Sequence, residues 1–167
     1  MPSEEGEKET IEERIYKSYH LLLSIAEKKA SGTALTSSEQ VEYNKFENYY
    51  ISKGITNINY CIGNNDKLRT YILETKFNGT WPAKTINGVD VYMQPYCDIN
   101  SKPTTNNVFV FGSTSVMNES SNKNWNTNYI YDYERKSWYT GNTIMIANKS
   151  LEKIKSEMNS KGWTNAK

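Results

Sequence analysis

Apolar positions Ile11, Ile15, Tyr19, Leu22 and Ala26 recur at spacings of four, four, three and four. That is one stripe of an α-helix. Thr10-Ile11-Glu12-Glu13 opens the stripe as a capping box, with Thr10 as N-cap and Glu13 three residues on. Lys28 and Lys29 suit the negative end of the helix dipole, and Gly32 supplies a stop. The pattern predicts a helix over about 11–30. Its middle, Leu21-Leu22-Leu23 with Ile25, is apolar over more than one face, so it calls for two neighbours. A second capping box, Thr36 with Glu39, predicts a helix over about 37–52 carrying Val41, Phe46, Tyr49 and Tyr50. A third, shorter helix starts near Asn65 or Asp66, carries Leu68, Tyr71 and Ile72, and ends before Asn78-Gly79, since Pro82 forbids continuation.

Beyond Pro82 the period changes to two. Asn87-Gly88 lies between Ala83–Ile86 and Val89–Met93, and Asn-Gly is the strongest short hairpin signal. The continuous run Val108-Phe109-Val110-Phe111 predicts a strand covered on both faces. Strands are also expected at Tyr129–Tyr133, at Trp138-Tyr139 and, after a turn at Gly141-Asn142, at Thr143–Ile146. A polar turn separates Asp132 from Lys136, and 113–128 reads as a long loop. Leu151, Ile154 and Met158 mark a C-terminal helix ending at Gly162. Helices, then a meander of strands, then a helix define an α+β fold with an antiparallel sheet. Residues 1–9 form a flexible lead-in, and 10–167 form one domain.

Composition narrows the function classes. The chain has 167 residues, with 20 Lys+Arg against 19 Asp+Glu and a net charge of +1. That balance argues against a nucleic-acid module. No apolar run is long enough to span a bilayer, and the first residues show no signal-peptide n-region and h-region. Aromatic residues reach 13%, enough to build a core, which argues against global disorder. Lys outnumbers Arg seventeen to three and Asn occurs twenty times, a mix expected of AT-rich codons and a low-GC bacterium. Cys61 and Cys97 are the only cysteines; a single disulfide in an oxidising compartment is expected, with two reduced thiols as the alternative. The bridge would contribute about 3.8 kcal/mol by loop-closure entropy.

Motifs for chemistry are sparse. His20 stands alone in the first helix, and no Cys or His companions give it a zinc-site spacing. Asp132 with Glu134, and Asp90 with Asp98, are carboxylate pairs without a catalytic signature, and turn or surface roles explain them better. A Cys–His nucleophile made from either thiol with His20 lacks a motif. The glycines form no phosphate loop. Asn64-Asn65-Asp66, or Asp98 with Asn100, offers oxygen ligands for calcium but without EF-hand spacing. Trp81, Trp125, Trp138 and Trp163 with Tyr129, Tyr131 and Tyr133 could form a stacking platform for sugars, although core packing is the more common use of such a stripe. The sequons at Asn78, Asn118 and Asn148 carry little weight in an Asn-rich chain. No enzymatic activity, cofactor or metal is expected.

Asp66-Lys67-Leu68-Arg69-Thr70-Tyr71 followed by Phe77-Asn78-Gly79-Thr80-Trp81-Pro82 resembles the helix that runs into a Gly-aromatic-Pro turn in Gram-positive type IV pilins and pseudopilins. Trp125 through Tyr133, Trp138-Tyr139 and the closing Gly162-Trp163 are similar to clostridial members. The likeness covers about residues 65–163. Two features depart from the family pattern: residues 1–167 contain no cleavage site followed by an apolar helix, and the helix pair over 11–52 is longer than the family's plain helix and loop. The resemblance implies an extracellular, cell-surface, non-enzymatic subunit that polymerises with its own kind or with other pilin-like subunits through that apolar helix. It would touch the membrane only through that helix and could engage a host or glycan ligand. Leu21, Leu23 and Ile25 are then candidate subunit-contact residues, with Leu22 as core. The other classes are a carbohydrate-binding or adhesin module using exposed aromatics, and a cytosolic protein-interaction factor of phage or defence type.

Overall fold

The computed structural model describes residues 9–86, 88–97, 103–105, 108–113, 127–132, 136–142, 156 and 164–166. Helix α1 spans Ile11–Ser31. Both halves of its capping box form: the Glu13 amide donates to Thr10 Oγ1 at 3.1 Å, and the Thr10 amide donates to Glu13 Oε1 at 2.9 Å. Gly32 closes the helix with φ of +74°, in the left-handed region that favours glycine. Helix α2, Ser37–Ser52, begins with the same device at Thr36 and Glu39. It buries Tyr43, Phe46 and Tyr50, whereas Val41 is exposed and Tyr49 is half-buried. The expected stripe through Val41 is therefore rotated: the apolar face runs through Tyr43, which lies three positions before Phe46 and seven before Tyr50.

A short helix not expected from the sequence, α3, covers Ile58–Ile62. Helix α4, Asn65–Lys76, buries Leu68, Tyr71 and Ile72 as expected. It is terminated by Asn78 and Gly79, both at positive φ.

Among the described residues six strands follow: β1 Ala83–Ile86, β2 Val89–Tyr96, β3 Phe109–Ser113, β4 Thr127–Asp132, β5 Ser137–Asn142 and β6 Thr164–Ala166. Each is antiparallel to its neighbours, and the strands lie in the sheet in chain order, as in a meander. The β1–β2 turn keeps the two-residue spacing expected of the hairpin, with Ile86 opposite Val89 and Gly88 at φ of +77°. Strand β2 runs on to Tyr96 through Pro95. That proline lies beyond Tyr92, the last residue of β2 paired by β1, so no β1 residue requires its missing N–H.

Gly141 and Asn142 lie inside β5, opposite Asn128 and Thr127. The turn expected there is replaced by continued pairing with β4. Strand β6 was not expected. The strand at 143–146 and the body of the C-terminal helix lie outside the described residues, where Ser156 alone is described and is helical.

Helix α1 lies between two layers, packing against β2 and β3 and against α2, α3 and α4. The wide apolar centre has the two neighbours it called for. One cluster joins Tyr19, Leu22, Leu23, Ile25 and Ala26 to Phe46, Tyr50, Leu68, Tyr71 and Ile72. A second joins Ile15 to Val91, Met93, Val110, Tyr129, Tyr131 and Trp138 on the inner face of the sheet. On the opposite face Phe109, Phe111, Ile130 and Tyr139 are buried too, so β3 is covered on both sides as its unbroken apolar run predicted. Gly112 is required by close approach: a Cβ there would lie 2.2 Å from Val91 Cγ1. Among the described residues no helix is long and apolar enough to cross a membrane.

Candidate functional site

The groups able to carry chemistry are the buried acids, the two thiols and the aromatic rings. Glu12 sits on the buried stripe of α1, three positions before Ile15 and seven before Tyr19, and is 2% exposed. Its carboxylate accepts from Trp138 Nε1 of β5 at 2.9 Å and forms an ion pair with Lys84 of β1. Burial alone would push this carboxyl up, but the hydrogen bonds from Lys84 and Trp138 outweigh it and hold the group below its ordinary value.

Glu42 of α2 accepts from the Tyr71 hydroxyl at 2.7 Å and pairs with Lys76 at 3.0 Å, tying α2 to α4. Burial, with Glu42 beside it, pushes the Tyr71 hydroxyl up. Glu39 pairs with Lys28 at 2.7 Å and accepts from the Thr36 amide at 2.8 Å, tying α2 to α1. These two donors hold its carboxyl low. Glu27 accepts from the Thr105 amide at 2.7 Å and from Thr104 Oγ1 at 2.9 Å.

Each of the three buried acids among the described residues, Glu12, Glu39 and Glu42, has a different lysine, 11 to 72 positions away. Glu12 and Glu39 are held ionised and cannot donate a proton at neutral pH. Of these acids only Glu39 belongs to a motif, the capping box with Thr36. Their signal was phase: Glu12 with Ile15 and Tyr19, and Glu39 and Glu42 with Phe46, fall at helical spacing on buried stripes.

Cys61, on α3, and Cys97, just after β2, are buried thiols not joined to each other. The expected bridge is not formed. Cys97 Sγ lies 3.5 Å from the Tyr19 hydroxyl, which donates to Asn65 Oδ1 at 2.9 Å and receives Arg69 Nη1 at 3.4 Å. Burial pushes the Cys61 thiol up, only partly offset by Lys67, so it is a poor nucleophile. His20 is half-buried and stacks on Tyr16 at 5.6 Å. Among the described residues no group of three His, Cys, Asp or Glu could hold a metal.

The proposed calcium ligands have other partners. Asn64 caps α4 by accepting from the Lys67 amide at 3.0 Å, Asn65 accepts from Tyr19, and Asp66 pairs with Arg69. Asp90 accepts from Thr85 Oγ1 at 3.0 Å on the surface of the first hairpin. Asp98, Asn100 and Glu134 lie outside the described residues, as do the sequons at Asn118 and Asn148.

The described part of the aromatic stripe is core. Tyr129, Tyr131 and Trp138 are buried against Ile15 and Met93, and Trp81 is half-buried beside Phe77 at 5.6 Å. Trp125, Tyr133 and Trp163 lie outside the described residues. Several rings are covered by cations: Lys29 lies over Tyr43 at 4.2 Å, Arg14 over Phe77 at 4.6 Å, and Lys53 over Tyr49 at 5.1 Å. Among the described residues the well-exposed tyrosines are Tyr60 and Tyr92, on different elements.

The expected subunit-contact residues are placed differently from the expectation. Leu23 and Ile25 are wholly buried with Leu22, and Leu21 is half-buried against the same cluster. The extra apolar width of α1 is covered by α2, α3 and α4, so Leu23 and Ile25 offer nothing to a neighbouring molecule. Comparison of the chain with protein-family models, with curated proteins and with solved structures returns no match.

Proposed function

We propose that the chain is the globular part of a non-enzymatic structural subunit, resembling a type IV pilin or pseudopilin, that assembles into an extracellular filament or secretion apparatus. The observation that carries this reading is the placement of α1. The N-terminal helix lies along an antiparallel meander whose strands follow in chain order, and it is gripped from both sides. An element held in that way can pass load from a polymerising segment into the whole domain. The use of Glu12, Glu39 and Glu42 as ties between elements supports a scaffold role. The extracellular part of the reading rests on the family resemblance, since the two thiols are not joined.

The cap at Thr10 adds a constraint. Its extended backbone, φ −74° and ψ 163°, ends the helical conformation there. An apolar helix leading into the domain would therefore be a separate helix connected through residues 1–9, not one continuous rod. Sequencing the gene upstream of the Met1 codon tests the reading. An in-frame prepilin-type cleavage site followed by about twenty apolar residues is the expected result. An upstream open frame encoding a soluble enzyme domain would refute it.

A further inference from the structure

Helix α1 changes partners part-way along its length. Ile15, with Ile11 packed beside it, belongs to the sheet cluster, whereas Tyr19 to Ala26 belong to the helical cluster. Tyr16 and Phe77 touch both, so the changeover falls at the second turn. The first two turns also have their own polar ties. Glu12 is held by Lys84 from β1 and by the Trp138 indole from β5. Glu13 faces Lys136 at 3.6 Å, Glu9 pairs with Lys17 at 3.0 Å, and Arg14 donates to the Lys76 carbonyl at 2.8 Å.

We propose that Thr10–Tyr16 is a latch, able to open from the sheet as a local unit while α1 from Tyr19 onward stays docked, and that the Glu12 carboxylate is its bolt. Ile15, with the partly buried Ile11 and Tyr16, is all the apolar purchase this segment has on the sheet, so the buried charge carries a large share of the hold. Removing that charge leaves the half-exposed Lys84 ammonium without its counter-charge and weakens the acceptor of the buried Trp138 N–H, which opening lets reach water. Opening would uncover the inner face of β2 at Val91 and Met93. The inference does not depend on the filament reading, because it concerns only how α1 is held.

Native-state hydrogen exchange of the wild-type chain, followed by NMR in low concentrations of urea, tests the latch. The amides of Arg14 to Lys17 should exchange through an opening that is nearly independent of urea, whereas those of Leu22 to Ala26 should follow the steep dependence of global unfolding. Equal protection and equal urea dependence in the two groups would overturn the proposal. Glu12→Gln tests the bolt at neutral pH, and Lys84→Met, which leaves the buried carboxylate without its cation, tests it from the other partner. Each should speed exchange at Arg14 to Lys17 by about tenfold or more while exchange at Leu22 to Ala26 rises by a smaller factor. Equal acceleration in both groups would mean that Glu12 is only a global stabiliser.

Discussion

At the scale of single residues the chain uses carboxylates as fasteners. Glu12 and Glu39 are held below the ordinary carboxylate range by their lysines and their N–H donors. Their folded-state values lie below the unfolded one, so the stability they contribute is complete above the unfolded value of about 4.3 and is lost as pH falls through the folded values. The urea midpoint should accordingly hold steady from pH 7 to about 5.5 and decline below about 4.5. A midpoint that rises on acidification would contradict the assignment of these pairs. The thiols give a second residue-scale expectation. Because both are buried and unjoined, a thiol reagent should label neither in the native protein, and both after unfolding without reductant. Failure to label the unfolded chain would show a bridge.

The helical elements were written into local signals. Both capping boxes form as the sequence spells them, and Gly32 and Gly88 take the positive φ their turns require. These features depend on neighbours three or four positions away, which is why they can be read without the fold. The misreadings arise where distant partners decide. Gly141-Asn142 has turn chemistry, but pairing with Thr127 and Asn128 keeps it in a strand. Strand β6 has three residues, too few for a period. Val41 fits a helical stripe, yet Tyr43 takes the buried phase. Ile25 is thus core, and Val41 lies on the surface. Ile25→Ala should cost about 2–5 kcal/mol, as expected for a filled core site, and Val41→Ala should stay within about 0.5 kcal/mol. Chemical denaturation of the two variants checks the contrast, and a tolerated Ile25 truncation would reopen the question of a subunit contact there.

For the whole molecule, one helix between two layers is the organising feature. The α+β class followed from the order of periods along the sequence, and the first hairpin of the sheet followed from Asn87-Gly88. The candidate site was far less legible. Lysine partners for the buried acids come from 11 to 72 positions away, and no spacing rule predicts such pairs. Of the aromatic residues that suggested a binding platform, Tyr129, Tyr131 and Trp138 are part of the filling of the sheet cluster. The central claim is that this domain assembles through an apolar helix joined ahead of α1. Electron microscopy of the domain carrying such a helix, produced with a prepilin peptidase and pilus assembly machinery, tests it most directly, beside light scattering of the domain alone. The account predicts filaments from the helix-bearing chain and a monomer from the domain alone. A helix-bearing chain that stays unassembled, or a tight dimer of the domain alone, would contradict it.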